Sequence, residues 1–557
     1  IRWQVLIAFA GIVLLATLLG YSTYNVATVL VPDHGGVFRE GVAGSPKYLN
    51  PLLCQVNDVD MDLCKLLYRG LTKIDRHGRV APDLASGWTI ADDVTYTFRL
   101  QPDQRWHDGQ PITADDVLFT IDVLQDPEVS SLPEVASLWR SVTVEKVDDL
   151  SVRFSLSEAF PPFIEYTSIG LLPKHIWEDR SPAELATMTL SASPVGSGPL
   201  QVTELTSDHI RLEPSPYMTD ADPYLSALEL HFYPDHPSLF AAYAMEEIDG
   251  ISYITPQDLS AAAAREDLQV FSSVQPGYVA IVLNQDNPDV AFFQEKEVRQ
   301  ALYYGLNRER LIDDIVAGQG ILAESVLLPE HWAYNPDAQQ YHYDPEKARQ
   351  LLDQTGWIDS DGDGIRDKDG RPMEFVLYGN DDITRQALIE RIALDWQELG
   401  IRVNPVAVTY AGLVGDFLAP RRFDAALVAW EVEGDPDPYP LWHSTQVEGG
   451  QNYGGWRNDE ADELMEQART LVSESDRQQL YARFQEIFAE EAPALLLYYP
   501  VYTYGVSNRV HNVQVGVLNE PSDRFETFSD WYILTRRVPA NQLPADMPPE
   551  PPSSAGE

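Results

Sequence analysis

The stretch from Ala425 to Trp456 holds the residue types and spacings with the clearest chemical potential in this chain. It opens with a short apolar run, Ala425 to Trp430, which predicts a buried strand. Carboxylates then alternate with glycine and proline: Glu431, Glu433, Asp435 and Asp437, with Gly434, Pro436 and Pro438. Because proline fixes φ and removes a donor, the chain must leave the sheet here as a stiff, shaped loop.

Aromatic side chains lie near these carboxylates in sequence: Trp430, Tyr439, Trp442 and Tyr453. An acidic mouth with aromatic walls could hold an ammonium group on an elongated organic ligand, through charge and cation–π contacts. A solvated acidic turn beside ordinary core aromatics would give the same pattern. Loops at strand ends often carry function, so both interpretations stay open at this point.

A second loop, from Asp359 to Asp367, resembles a calcium loop. It has carboxylates at relative positions 1, 3, 5 and 9 and a backbone carbonyl at position 7: Asp359, Asp361, Asp363, Asp367 and Ile365. Gly370 stands where the bidentate Glu is expected, and Asp369 could replace that Glu only with a changed loop geometry. The pattern predicts a weakly held structural Ca²⁺, with an Asp/Gly turn as the alternative. No other cofactor is required.

The two cysteines, Cys54 and Cys64, are near enough in sequence to form a disulfide outside the cytoplasm. Closing so small a loop would stabilise the fold by about 3 kcal/mol in the chain-entropy model. The alternative is two buried thiols, with Cys64 on a helix. The sequence favours the disulfide.

Length and charge limit the function classes. A chain of 557 residues is too long for one core, so two or three domains are expected. A formal net charge of −47 argues strongly against binding to nucleic acid or to an anionic membrane surface.

The first 31 residues are predicted to lie outside the globular body. Trp3 to Gly20 is almost continuously apolar and long enough for one transmembrane helix. Arg2 favours a cytoplasmic N-terminus and an external body. A cleaved signal peptide is the alternative, but no small-x-small cleavage site follows the apolar core, which favours an uncleaved anchor.

Signatures of common enzymes are absent from the sequence. There is no His-Glu-x-x-His, Gly-x-Ser-x-Gly, Walker or Gly-x-Gly-x-x-Gly motif. His231 and His236 are interpreted as ordinary surface residues rather than metal ligands. The absence of these motifs argues against an enzyme.

Local patterns predict several elements near the start of the body. Met61 to Leu71 is amphipathic and predicts a helix, and Thr95 to Leu100 alternates like a strand. Thr113 is expected to cap the next helix, with Asp116 completing a variant capping box.

These segments and others resemble family 5 of the extracytoplasmic solute-binding proteins of ABC importers, which includes dipeptide- and oligopeptide-binding proteins. The motifs, in order, are YTFRL and WHDGQPITADDVLFT, Gly196 to Leu200, Glu297 to Leu302 with Asn307-Arg308, Asp344 to Ala348, and Ala492-Pro493. Together they span roughly residues 36 to 535. Each motif is weak alone, but their combination and order are specific.

The resemblance implies an α/β fold of two lobes facing each other across a cleft, of the type II, venus-flytrap kind, with an extra domain. The N-terminal helix would precede it. Crossings between lobes are expected near Val274 to Leu283 and Tyr498 to Tyr504. The expected parts are lobe I at 36–55, 196–275 and 505–537, the extra domain at 56–195, lobe II at 276–504, and a disordered Pro-rich tail at 538–557.

The resemblance also implies binding residues. An acid three places after the tryptophan binds the ligand's α-ammonium in peptide-binding relatives, which gives Glu433 here. Asp435 is a close second, because the loop is one residue shorter. The loop from Gln55 to Val59 adds Asn57 and Asp58, and the entry to lobe II adds Tyr278 and Asn284. Trp430 and Tyr453 complete the set.

The expected function is capture of di- or oligopeptides by lobe closure at the outer face of the cell membrane. Delivery would be to permease subunits coupled to cytoplasmic ATPases. The alternatives are the same fold binding an oligosaccharide, a nickel complex or haem, a calcium-stabilised adhesion protein, and a secreted hydrolase. The missing nucleophile motifs disfavour the hydrolase.

Overall fold

The computed structural model describes residues 3, 9–15, 17, 28–54, 57–75, 79–126, 138–181, 184–185, 194–218, 222–432, 434–516, 518 and 520–539. Most of the predicted N-terminal helix, Glu433, and residues 540–557 of the predicted tail lie outside this part. Within the described residues, no helix is both long and apolar enough to cross a membrane.

The strands, in chain order, are β1 (Thr28–Asp33), β2 (Val37–Ala43), β3 (Thr72–Ile74), β4 (Val80–Pro82), β5 (Ala85–Ala91), β6 (Thr95–Leu100), β7 (Thr143–Asp148), β8 (Ser151–Ser155), β9 (Leu200–Leu205), β10 (His209–Pro214), β11 (Ala227–Tyr233), β12 (Gly250–Ile251), β13 (Leu268–Val274), β14 (Gly277–Leu283), β15 (Gly320–Leu322), β16 (Asp367–Lys368), β17 (Arg371–Pro372), β18 (Glu374–Asn380), β19 (Arg402–Val408), β20 (Ala425–Glu431), β21 (Ala494–Ser507) and β22 (Leu534–Pro539).

The α-helices of the described part are α1 (Asp58–Leu67), α2 (Ala114–Gln125), α3 (Phe163–Tyr166), α4 (Lys174–Trp177), α5 (His236–Ala244), α6 (Pro256–Ala263), α7 (Lys296–Tyr304), α8 (Arg308–Asp314), α9 (Pro345–Gln354), α10 (Ile383–Gln397), α11 (Tyr410–Gly412), α12 (Tyr439–Trp442), α13 (Asp459–Thr470) and α14 (Glu474–Glu491). Short 3₁₀ segments cover Pro288–Gln294, Ser444–Val447, Pro521–Phe525 and Phe528–Asp530, and a π-helical turn covers Leu413–Leu418.

One long strand, β21, belongs to both lobes. Its first part pairs antiparallel with β14, and its last part pairs antiparallel with β13. Pro500 stands between these two pairings, in register with Gly320 of β15, and has no N–H to give to a ladder. The chain therefore passes between lobes twice, at Val274 to Gly277 and near Pro500. Lobe II contains β19-β18-β20-β14 with the start of β21, and lobe I contains β12-β2-β11-β10-β9 with its end.

Four clusters of buried side chains in the described part of the chain follow this division. The largest core lies between Tyr278 and Tyr499 and fills lobe II. Lobe I is built on β2, β9 to β11 and the end of β21, with a smaller cluster beneath α5 and α6. The extra domain has its own core around the antiparallel sheet β5-β6-β8-β7. The fold is a mixed α/β architecture of two lobes and one added domain.

The start of the extra domain differs from the expected boundary at residue 56. Val59, Leu63 and Leu67 of α1 are buried in the core of lobe I, so this helix belongs to that lobe. Its bounds also differ from the predicted Met61 to Leu71, because Asn57 caps it and the chain becomes extended at Tyr68. Cys54 and Cys64 are joined by a disulfide that fastens the preceding loop to α1.

Candidate functional site

The segment that follows β20, residues 432–437, is called the acidic loop here. The acidic loop begins beside the point where the chain enters lobe II, because the residue before the loop, Glu431, is the register partner of Gly277, the first residue of β14. The N–H of Val432 donates to the carbonyl of Pro276 at 3.1 Å. The acidic loop is thus fixed at one end to a crossing between the lobes.

The aromatic residues predicted to wall the site lie mostly inside lobe II. Tyr278 and Trp442 are 1% and 2% exposed, and Trp430 is 7% exposed. Trp442 Nε1 donates to the Tyr278 hydroxyl at 2.9 Å. The Trp430 ring lies 5.4 Å from Trp442 and 6.3 Å from Tyr453. These rings support the end of β20 from within the core, and little of their surface faces solvent.

Asn284 also has a supporting position. It is 2% exposed, and its amide donates to the carbonyls of Arg421 and Phe423 at 3.1 and 2.8 Å. Its side-chain oxygen accepts from the N–H of Asp286 at 3.2 Å. These contacts tie the end of β14 to the turn that precedes β20.

Asn57 and Asp58 have different environments. The side chain of Asn57 caps α1 by accepting from the N–H of Asp60 at 3.0 Å, and its amide donates to the Asp60 carboxylate at 2.6 Å. Asp58 is exposed, and its charge reaches both His236 of lobe I and Glu431 of lobe II. Asp58 therefore faces the space between the lobes, whereas Asn57 is engaged in its own helix.

Asp435, one of the two acids predicted to bind an ammonium group, is paired within lobe II. Its carboxylate accepts from Arg477 of α14 at 2.5 and 2.6 Å. Asp437 forms an ion pair of 3.0 Å with Arg469 of α13, and burial raises its pKa to about 6. The other predicted acid, Glu433, lies outside the described residues.

Glu431, the last residue of β20 and the neighbour of the acidic loop, faces the cleft and has no cation beside it among the described residues. Its side chain is exposed, and it has no hydrogen bond or ion pair to any other described residue. Partial enclosure raises its pKa, and the charge of Asp58 raises it further. Its charge in turn acts on Glu520 of lobe I. Carboxylates from both lobes thus converge on one part of the cleft.

A second part of the cleft carries donors. On lobe I the ring of His236 lies 4.9 Å from that of Tyr253. On lobe II Arg385 lies in the first turn of α10, near Tyr498. The buried atoms His236 Nδ1 and Arg385 Nη1 have no hydrogen-bond partner in the described part of the chain. Burial lowers the pKa of His236 and raises that of Tyr253 to about 12.

In the part of the cleft around His236 and Arg385, a charge on one lobe shifts the pKa values of groups on the other lobe. The charge of Asp382 in lobe II acts on both His236 and Tyr253 of lobe I. The lobes are therefore close together, and among the described residues some donors and carboxylates between them have no partner. The sequence analysis interpreted His236 as an ordinary surface residue, whereas its ring packs against Tyr253 and its Nδ1 atom is buried. It did not identify Arg385 or Tyr253, because they are far apart in the chain and no local motif marks them.

The predicted calcium loop brings three of its carboxylates together. One oxygen from each of Asp359, Asp361 and Asp363 lies within 4.8 Å of the others, and all three residues are exposed. Asp367 instead accepts from the N–H and hydroxyl of Ser360, at 2.9 and 2.7 Å. Three carboxylates suit a hard cation such as Ca²⁺, and the fourth is directed to Ser360.

Comparison with known proteins agrees with this architecture. Residues 79–452 match the family model described as bacterial extracellular solute-binding proteins, family 5 Middle. The oligopeptide-binding protein AppA of Bacillus subtilis is 31% identical over 482 residues, covering 84% of this chain and 87% of AppA. The dipeptide-binding protein of Escherichia coli is 28% identical over 487 residues, covering 82% and 87%.

A solved structure gives the same result in three dimensions. The structure of AppA from Bacillus subtilis in complex with a nonapeptide superposes with a TM-score of 0.75 at 28% identity, covering 90% of this chain and 100% of that one. The family model matches more than half of the chain, and the AppA relative is above 30% identical over most of both chains, so the two findings identify the same family. This chain belongs to family 5 of the bacterial extracellular solute-binding proteins.

Proposed function

We propose that this protein captures peptides outside the cytoplasm and delivers them to the permease of an ABC importer. The observation that supports this proposal is the cleft between the lobes, where charged groups of both signs have no partner within the described part of the chain. Asp58 and Glu431 supply carboxylates, and Arg385 supplies a guanidinium. A peptide is a zwitterion, so its ammonium and carboxylate ends match these groups. The peptide ligands of the similar proteins support the same reading.

Lobe closure would distinguish the protein with bound solute from the empty protein. A solute that contacts both lobes binds the closed form more tightly, so it shifts the population toward closure. The two short crossings at Val274 to Gly277 and near Pro500 are the segments that would absorb the motion. The closed form is the one that a permease would recognise.

The apolar N-terminal sequence is part of the proposal. On its sequence alone we assign it as a membrane anchor, with a cleaved signal peptide as the alternative. Membrane fractionation of the full chain and of a version that starts at Thr28 tests this assignment. A truncated protein that still sediments with membranes would contradict it.

The central test begins with mass spectrometry of whatever co-purifies with residues 28–539. The peptide found there is then titrated by calorimetry in three forms: free, N-acetylated and C-amidated. Acetylation should weaken binding to the wild type but much less to Glu431→Gln, and amidation should behave likewise with Arg385→Gln. Breaking one partner of a desolvated charge pair costs roughly 3–5 kcal/mol, more than a hundredfold in affinity.

The competing ligands give other outcomes. Recovery of an oligosaccharide, a nickel complex or haem would keep the family and reject the peptide assignment. Equal affinity for the free, N-acetylated and C-amidated peptide would show that the charged groups of the cleft do not bind the ammonium and carboxylate ends of the peptide.

A further inference from the structure

The extra domain reaches the acidic loop of lobe II through Glu165. The N–H of Asp435 donates to Glu165 Oε2 at 2.9 Å. Gly434 makes this approach possible, because a Cβ at that position would lie 1.8 Å from the same oxygen. Gly434 also has a φ of +61°, a conformation that glycine adopts without penalty.

Glu165 is presented by a well-fixed element. It lies on α3, whose Phe163 is fully buried in the core of the extra domain. The Thr167 hydroxyl meets that of Thr72 at 2.8 Å, and the N–H of Leu71 donates to the Thr167 carbonyl at 3.0 Å. The backbone that carries Glu165 therefore moves with the extra domain.

A second contact between the same two parts lies next to the first. The guanidinium of Arg469 in α13 lies 5.5 Å from the ring centre of Phe160 in the extra domain. It also lies 4.2 Å from the ring of Tyr439 and is paired with Asp437. The acidic loop is thus bordered by the extra domain along Phe160 to Glu165.

We propose that Glu165 is a positioning residue, which fastens the acidic loop to the extra domain when the lobes are closed and thereby couples solute affinity to proton binding. It acts through the loop and does not touch the solute. The proposal rests on the proposed function, since it assumes that closure accompanies solute binding. It assigns the extra domain a part in closing the cleft.

The charges around Glu165 explain the coupling. Asp435 and Arg477 act on Glu165 directly, and Tyr166 of its own helix interacts with it. The described titratable groups that act on the same loop are Asp437, Arg469 of α13, Tyr481 of α14 and His331. Three carboxylates with Glu165 included stand against two guanidinium groups, an excess of one negative charge. A proton on Glu165 removes that excess, and its carbonyl oxygen still accepts from Asp435.

The direction of the effect follows from the same contacts. Burial, and then the charge of Asp435, raise the pKa of Glu165 from an ordinary 4.5 to about 7. A group with a raised pKa in the closed form favours closure below its ordinary pKa, and this contribution is lost as pH rises through about 7. If the open form returns Glu165 to water, affinity at pH 6 should exceed that at pH 8 by about tenfold.

The test measures solute affinity between pH 6 and pH 8 with the intact body, residues 28–539. The probe is a pool of random-sequence nonapeptides, dialysed to equilibrium and read by mass spectrometry. Glu165→Gln keeps an acceptor oxygen without charge, so it should bind tightly at both pH values. Glu165→Ala removes the acceptor, so it should bind weakly at both. Glu158→Gln, an exposed site in the same domain, is the matched control and should keep the wild-type pH dependence.

A spin-label distance between Asp103 of the extra domain and Glu460 of lobe II, each changed to cysteine, reports closure independently. It should shorten at pH 6 in the wild type and lose its pH dependence in Glu165→Gln. Binding with the same pH dependence in wild type, Glu165→Gln and Glu165→Ala would overturn this inference and leave the proposed function intact. Failure of every variant to bind any peptide would instead reject the peptide assignment, and the distance measurement would then decide on Glu165 alone.

Discussion

The carboxylate of Asp435 and the guanidinium of Arg477 form a nearly buried pair, with side chains 12% and 7% exposed. Arg477 Nη2 contacts both carboxylate oxygens, at 2.5 and 2.6 Å, and also donates to the Tyr481 hydroxyl at 2.9 Å. Burial raises the pKa of Asp435, and hydrogen bonds from Arg477 oppose that rise. The pair fixes the acidic loop to α14, so Asp435 already has its cation.

We expect Arg477→Met to destabilise the protein, because it leaves the Asp435 carboxylate buried without a cation. Loss of one partner of a buried pair costs roughly 3–5 kcal/mol. The double variant Asp435→Asn/Arg477→Met should recover much of that loss, since neither charge then remains. Urea unfolding of the wild type, the single variant and the double variant measures both effects.

An exposed pair in the same lobe provides the control. Arg457 and Asp286 contact each other at 2.8 Å with side chains 50% and 49% exposed. Arg457→Met should change stability by less than about 1 kcal/mol, as surface pairs generally do. If Arg477→Met and Arg457→Met lower the stability equally, Asp435 is accessible in solution. Asp435 would then again be a candidate for contact with the ligand.

The disulfide between Cys54 and Cys64 should contribute measurably to stability. It closes a loop with a sequence separation of 10, and a loop of similar size is worth about 3 kcal/mol in the chain-entropy model. The double variant Cys54→Ala/Cys64→Ala should therefore unfold at lower urea concentration. Dithiothreitol should destabilise the wild type and leave the double variant unchanged. If dithiothreitol has no effect on the wild type, the bridge adds nothing.

Local elements were the part that sequence could predict. Thr95–Leu100 forms a strand with those bounds, and Ala425 begins a buried strand that ends one residue after the predicted Trp430. Side-chain alternation and apolar runs are local properties, so they are readable from neighbouring residues. Family motifs added the order of the lobes, which periodicity alone does not give.

The partners of the acids could not be predicted in the same way. Arg477 is 42 residues from Asp435, and Glu165 is 270 residues away. Whether a carboxylate is free or paired depends on which distant element packs against it, and no local pattern encodes that. For this reason the sequence analysis named Asp435 beside Glu433 as a candidate for binding an ammonium group, whereas Asp435 is paired with Arg477 and Glu431 has no partner among the described residues.

Calcium should stabilise the protein if the predicted loop binds it. An ion that binds only the folded state stabilises by mass action, so the melting temperature should rise in millimolar Ca²⁺ relative to EDTA. Asp361→Asn and Asp363→Asn should each abolish the rise, because they remove charge from the converging trio. Asp337→Asn, at an exposed position elsewhere in lobe II, should retain it. Identical melting of the wild type in both buffers would leave the loop as a simple Asp/Gly turn.

His331 should make stability depend on pH in the acid range. It lies against the backbone of Gly434, and burial lowers its pKa from 6.5 to about 4. A lowered pKa means that the unfolded chain binds the proton more readily, so this stability is present above pH 6.5 and is lost as pH falls toward 4. Raised pKa values of Glu165 and Asp437 act in the opposite direction, so variants must isolate the His331 contribution.

Urea unfolding from pH 7 to pH 4.5 should show a shallower decline in stability for His331→Gln than for the wild type. His34→Gln, at a side chain 56% exposed, should follow the wild type. A decline in His331→Gln as steep as in the wild type would show that His331 is not held neutral by burial.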